Sequence, residues 1–450
     1  MDAKRYGIQT STGPAYRHPR AMAQTHAVIE PTALRRRPLP IDRSGDRWVA
    51  VGAIGIALGY LIAAFASLAL PIEARRGAWL PLHLALAGGA SSVIAGVMPF
   101  FSAAFAAAPP SDVRLRWSAL AAVALGAGGV AVAVATSASG LAVGSGVVFI
   151  LGIVLTGVVT VRPLRGALGA SRGIVTEAYV VALGQVAVGA TLGTLVLAGW
   201  PPLADAWVRL KPAHAWLNLV GFVSLVIATT LLHFFPTVIG ARIASHRSAR
   251  VTVTGLALGA PLVALGYAAS WDLLARIGAI AALSGAAAVA IYAWRVWPTR
   301  GRWSTDRAWH RFAMGGLISA LAWFVIGIAV MAGRVLAFGA TPEAWSIEAV
   351  VGPLVIGWVG SAVIASATHL LPAIGPGDPA VHARQRALLG RASVARLVAF
   401  DLGVAALSLG IPLGVQPLAA GGAVLAGVGF VTTAALLAGA VTLGVRAQRR

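Results

Sequence analysis

Apolar stretches of about 20 residues follow one another from Trp48 to Val445, and they restrict this chain more than any motif in it. A hydrocarbon core offers backbone amides no water. A chain that crosses it repeatedly therefore does so as helices or as a closed barrel. The stretches lack period-two alternation, which selects helices. They lie near 48–70, 81–108, 116–136, 140–161, 174–199, 212–240, 251–270, 272–294, 312–333, 347–373, 396–414 and 416–445. Composition agrees, because 11% of the residues are charged, against roughly 25% in a soluble domain. The expected fold is all-α, a polytopic membrane bundle of about twelve transmembrane helices. Residues 1–47, polar and rich in Pro and Arg, are expected to form a disordered basic cytoplasmic tail. The membrane domain is expected over 48–445 and a basic cytoplasmic end over 446–450.

A net charge of +21 raises the question of nucleic acid. The placement of the charges answers it. Arg75, Arg76, Arg209, Lys211, Arg276 and Arg334 fall on one side of the twelve spans, and the other 29 of the 35 Lys and Arg fall opposite. This is the positive-inside asymmetry. It puts both termini in the cytoplasm of a cell (plasma or inner) membrane protein whose partner is the lipid bilayer rather than nucleic acid. Tryptophans at span ends, among them Trp48, Trp79, Trp117, Trp200, Trp207 and Trp271, form the usual interfacial belt. Trp323 and Trp358 fall inside spans and are expected to pack against flat neighbours. The absence of cysteine removes disulfides, thiolate metal sites and iron–sulfur clusters.

A period of four helices is visible. The second, sixth and tenth stretches begin at Pro81, Pro212 and Pro353 and share the triplets Val93-Ile94-Ala95, Val226-Ile227-Ala228 and Val363-Ile364-Ala365. Each has Gly or Ser just before the triplet and a later proline: Pro99, Pro236 or Pro372. Three related four-helix units follow from that period.

Four histidines sit at matching places on these helices. Pro81-Leu82-His83 parallels Pro212-Ala213-His214, and His233-Phe234-Phe235-Pro236 parallels His369-Leu370-Leu371-Pro372. Ionisable groups in a membrane are costly and default to function. His214 and His233 are separated by roughly 28 Å along one helix, so no single metal holds both. The grouping expected is an outer pair, His83 with His214, and an inner pair, His233 with His369. Two facing imidazoles ligate haem iron or begin a copper site, whereas zinc wants a third or fourth ligand. Asn218, Thr229, Thr230 and Thr368 are candidate partners that orient the rings. The plain alternative is that each histidine bonds a neighbouring group at its helix end. His310 is assigned to a basic cytoplasmic loop. Asp401 is expected to pair with Arg396, Glu177 with Arg172 and Asp272 with Arg276. No catalytic set is legible.

Twelve helices, cytoplasmic termini, three four-helix arcs and histidines on the second, sixth and tenth helices together resemble the haem–copper oxidase subunit I superfamily. The stretch HAWLNLVGFVSLVIATTLLHFFPTVIGARI at 214–243 is similar to membrane regions of actinobacterial chains, some joined to copper nitrite reductase or multicopper oxidase domains. A weaker similarity is to the NnrS family of haem- and copper-containing proteins linked to nitric oxide. The resemblance implies haem b as cofactor with copper as the alternative, a redox partner, and electron transfer or nitric-oxide-related handling. It departs from the oxidases at the seventh helix: residues 251–270 contain no histidine where those enzymes carry an adjacent pair, which implies no binuclear oxygen-reducing centre. The other classes compatible with the residues are a membrane transporter and a non-catalytic assembly partner with structural histidines.

Reporter fusions after Pro110 and after Ser245 are expected to read cytoplasm, and one at Asp205 the exterior. An external reading at Ser245 would reverse the depth of every histidine.

Overall fold

Helices that satisfy their own amides still have to find one another, and in lipid the apolar side chains gain little by association. Close backbone approach does that work here. A computed structural model describes residues 44–106, 108–166, 173–243, 246–302 and 309–448. Among them twelve helices are long and apolar enough to cross a membrane, and no strand occurs. The protein is a multi-pass membrane protein. The helices are α1 Trp48–Ser67, α2 Trp79–Phe105, α3 Val113–Ala135, α4 Ser139–Leu164, α5 Ile174–Leu197, α6 Trp207–Ile239, α7 Arg247–Ala269, α8 Asp272–Thr299, α9 Trp309–Phe338, α10 Pro342–Ile374, α11 Ser393–Gly410 and α12 Gln416–Gln448. The basic end expected at 446–450 is therefore helical as far as Gln448. The tail up to residue 43 lies outside the described residues.

The four-helix period becomes physical in the packing. The hairpins α3–α4, α7–α8 and α11–α12 each pack along their length. Each relies on a glycine against the partner backbone: Gly152 facing Val123, Gly278 facing Val263 and Gly403 facing Ala426. A Cβ on Gly152 or Gly278 would lie 2.6 Å from a partner backbone nitrogen, closer than atoms tolerate. The units join through α4–α5 and α8–α9 packing, and the rings of Phe65 and Phe430, 5.6 Å apart, bring α1 against α12. The result is three four-helix units joined in chain order.

Inside these units stand α2, α6 and α10. In their most apolar windows 61, 78 and 61% of residues are buried, against 28–50% in the other nine helices. A helix apolar on all sides belongs in such an interior. All three carry the run Ser-X-Val-Ile-Ala, beginning at Ser91, Ser224 and Ser361, and all three serines are buried. Val93, Val226 and Val363 line one small cavity of about 90 Å³, so the three runs surround a common axis. Trp358 of α10 donates to the Ser224 hydroxyl of α6 at 3.0 Å and stacks on Phe324 of α9, the flat neighbour expected of it.

The same helices share a local distortion. Each contains a π-helical stretch that ends where the repeated run begins: Leu84–Ala90, Trp216–Ser224 and Val351–Gly360. Single wide turns of this kind are rare and concentrate at functional sites. Proline accompanies each one. The sequence places Pro81, Pro212 and Pro353 at helix starts, but the helices begin earlier, at Trp79, Trp207 and Ile347, the last as the range 347–373 has it, after a separate 3₁₀ turn at Pro342–Ala344. Pro212 and Pro353 therefore lie within helix. Pro353 lies inside its π-helical stretch, whereas Pro81 and Pro212 stand just before theirs.

Two expected ion pairs are replaced. The Asp272 carboxylate accepts the Ala340 N–H at 2.8 Å, which ties α8 to the end of α9. Asp401 accepts from Ser319 and from Trp323 Nε1 of α9. Arg396 turns away from it, donating to the Leu389 and Arg391 carbonyls and to Thr433, with its guanidinium 4.1 Å over the Phe312 ring. Carbonyls at a helix end and an aromatic face satisfy the guanidinium without burying a second charge. The Glu177–Arg172 pair involves a residue outside those described, and Glu177 itself is exposed.

Gly278→Leu is expected to force the α7–α8 hairpin apart and destabilise the protein by about 1–3 kcal/mol. A lowered unfolding temperature in detergent checks this, with Gly427→Leu, whose Cβ meets open space, as the silent control.

Candidate functional site

His83 stands in the last α-helical turn of α2 before its π-helical stretch, and His214 occupies the corresponding place on α6. Contact between the two π-helical stretches draws these turns together. The rings lie 6.3 Å apart, centroid to centroid, with planes inclined by 20°. The outer pair expected from the sequence is therefore brought together.

Each ring is held by the same device. His83 Nδ1 lies 2.8 Å from the Trp79 carbonyl, one turn back in its own helix. His214 Nδ1 lies 2.8 Å from the Gly189 carbonyl of α5. A carbonyl only accepts, so Nδ1 is the donor in each of these two contacts, with Asn218 Nδ2 also 3.2 Å from His214 Nδ1. Nε2 is then left with its lone pair in both. Histidines that ligate metals are oriented this way, with the second ring nitrogen donating to a carbonyl or carboxylate. Two such nitrogens sharing one metal at about 2.0–2.1 Å each would set the rings about 6 Å apart when the linkage is straight.

The surrounding residues keep the rings in place. Trp79 stacks on His83 at 4.0 Å, and Trp207 meets His214 edge-on at 5.7 Å. Asn218 donates to the His214 backbone carbonyl at 2.7 Å, so its amide lies against the ring. Gly189 and Gly193 of α5 form the cradle. A Cβ at Gly193 would stand 3.2 Å from His214 Cε1, and one at Gly189 would run into the Asn218 amide. Of the candidate orienting groups, Asn218 touches the site. Thr230 instead bonds Tyr179 at 2.7 Å, and Thr368 donates to the Ile364 carbonyl of its own helix. Thr229 is fully buried on α6.

His233 rests on Phe105 at the end of α2, with ring centroids 4.7 Å apart. His369 packs against Trp309 at 5.0 Å, Phe234 at 5.5 Å and His310 at 5.8 Å. The imidazole recorded beside His369 is thus His310, assigned to a loop by its basic neighbours. The physical reason is that α9 starts at Trp309, so His310 belongs to its first turn. Antiparallel packing sets that turn beside the end of α10. His369 Nδ1 is buried without a hydrogen-bond partner among the described residues.

Haem asks for axial ligands and for room. His83 and His214 match the ligands by donor chemistry, while the glycine flank of His214 is closed by the α5 backbone and the Asn218 amide, and neither histidine lines the 90 Å³ or the 380 Å³ cavity. A larger cavity, of about 380 Å³, lies on another face of α2, where Pro81, Leu82, Ala85 and Leu86 look into it. No histidine lines that cavity, so it supplies no imidazole to an iron. No group of three or more His, Cys, Asp or Glu that could hold a metal occurs among the described residues.

Trp79, Trp207, Gly189 and Gly193 escaped the sequence reading. Trp79 carried a signal, since it precedes His83 by one helical turn, the spacing at which side chains meet. The glycines of α5 carried none, because glycine is abundant throughout the chain.

No protein-family model matches this chain, and no curated protein matches it in sequence.

His310→Ala is expected to shift the imidazole resonance of His369 in histidine-labelled NMR spectra, because it removes an adjoining ring. His382→Ala, on the helix Pro379–Leu389, is expected to leave that resonance in place.

Proposed function

We propose that this membrane protein holds a redox metal between His83 and His214, as haem b or alternatively as copper, for electron transfer or nitric-oxide-related handling. The observation that carries the reading is the matched anchoring of both Nδ1 atoms on carbonyls, which leaves two Nε2 lone pairs on rings 6.3 Å apart. Two protein ligands are few for zinc, which takes four. They suffice for haem, which brings its own equatorial nitrogens and supplies a one-electron couple when bound. His83 and His214 would hold it. The Trp79 and Gly189 carbonyls hold the ring orientation, and the anchored Nδ1–H raises ligand basicity. Trp79 and Trp207 screen the pair from the interface.

Twelve helices with histidines on the second and sixth support the oxidase-like reading of this site. The absence of histidine from residues 251–270 supports redox handling without a binuclear oxygen-reducing centre. The partner that supplies or accepts electrons would dock at the outer face, where the pair lies.

Protein produced with ample haem and copper and purified in detergent is expected to show a Soret band that shifts on dithionite reduction. His83→Ala and His214→Ala should each abolish or convert it, since an axial ligand sets spin state and potential. A colourless protein with stoichiometric copper, lost in the same variants, selects the copper form. A colourless and metal-free protein overturns the reading and returns both histidines to a packing role.

A further inference from the structure

The 380 Å³ cavity has no part in the histidine site. It lies in the outer half of the bundle, walled by α1, α2, α10, α11 and α12. Its walls are almost wholly apolar, formed by residues such as Leu61, Phe65, Leu86, Val355, Phe400 and Phe430. Phe65, near the end of α1, and Leu68, in the turn after it, line it and are also exposed. The cavity therefore reaches the surface that faces lipid, and an acyl chain enters it without crossing water.

Its charged lining residues are Arg75 and Glu348. Arg75 belongs to the segment between α1 and α2, and Glu348 to the first turns of α10, so both mark the outer end. Arg75 is one of the six basic residues on a side that the chain otherwise keeps poor in Lys and Arg. Its Nη1 donates to the Gly77 carbonyl at 2.7 Å, which fixes the guanidinium in place. Its Nε is buried without a hydrogen-bond partner. A buried guanidinium donor left open in this way calls for an acceptor. A phosphate oxygen is the acceptor that a guanidinium binds best. Glu348 takes the Ser346 hydroxyl on Oε2 at 2.9 Å and is otherwise exposed, leaving a carboxylate oxygen for a cation.

We propose that this cavity binds an outer-leaflet phospholipid whose headgroup carries a phosphate and a primary ammonium, the phosphate on Arg75 and the ammonium on Glu348, with an acyl chain along α2 and α10. Opposite charges at one mouth match a zwitterionic head and penalise a purely anionic one. A primary ammonium gives the carboxylate N–H donors, which a quaternary choline head lacks.

The test is native mass spectrometry of the delipidated full chain, titrated separately with phosphatidylethanolamine, phosphatidylcholine, phosphatidylglycerol and inorganic phosphate. Phosphatidylethanolamine is expected to bind about tenfold more tightly than the other two lipids, a difference of about 1.4 kcal/mol. Arg75→Ala should remove the preference and Arg75→Lys should restore part of it. Glu348→Gln, at an exposed position that leaves folding undisturbed, should make phosphatidylethanolamine and phosphatidylglycerol equal. Ala85→Phe, which fills the cavity, should block lipid binding altogether. Equal binding of the three lipids, a preference for phosphatidylglycerol, or indifference to Glu348→Gln and Ala85→Phe would overturn the proposal. So would inorganic phosphate binding at Arg75 while the lipids do not bind.

Discussion

The packing of three distorted helices about one axis is the constraint on which the rest of this protein depends. In lipid, apolar surface gains little by leaving its surroundings, so small side chains and close backbones hold helices together. The buried Ser-X-Val-Ile-Ala runs of α2, α6 and α10 meet in that way around a shared cavity. The outer helices then pair off as hairpins, each with a glycine pressed against its partner. If the central three lost their register, the outer helices would have nothing to pack against.

The π-helical stretches connect this scaffold to its chemistry. They lie just above the repeated runs, and the histidines lie just above them. A wide turn rotates everything before it relative to everything after it. His83 and His214 can thus face each other while Ser91 and Ser224 remain buried below. The tenth helix has the turn but no histidine above it, since Val351 and Pro353 occupy that region. Its corresponding face borders the large apolar cavity instead. One repeated architecture therefore serves two different surfaces.

Polar groups in this bundle are answered mostly by carbonyls and hydroxyls rather than by opposite charges. Arg396 bonds helix-end carbonyls and a threonine, Asp401 accepts from Ser319 and Trp323, and Asp272 accepts a backbone amide. Bringing two full charges out of water costs more than their attraction returns unless the geometry is excellent. A neutral partner already fixed in a helix avoids the second desolvation.

The amino-acid sequence by itself determined the class of fold, because apolar length and arginine placement act through the bilayer and need no tertiary contact. It determined the period of four helices, which the Val-Ile-Ala triplets carried openly, and the outer histidine pair, which the Pro-X-His repeat carried. Only the tertiary structure decided where the second and sixth helices start, because a proline one turn into a helix looks the same in sequence as a proline that opens one. It replaced the ion pairs, since sequence nearness says nothing of which way a side chain turns. It set His310 beside His369, because that neighbour comes from antiparallel packing of α9 on α10. The glycine cradle of α5 and the Gly189 carbonyl were likewise matters of packing. A main-chain oxygen is present at every residue, and only the fold chooses which one meets an imidazole.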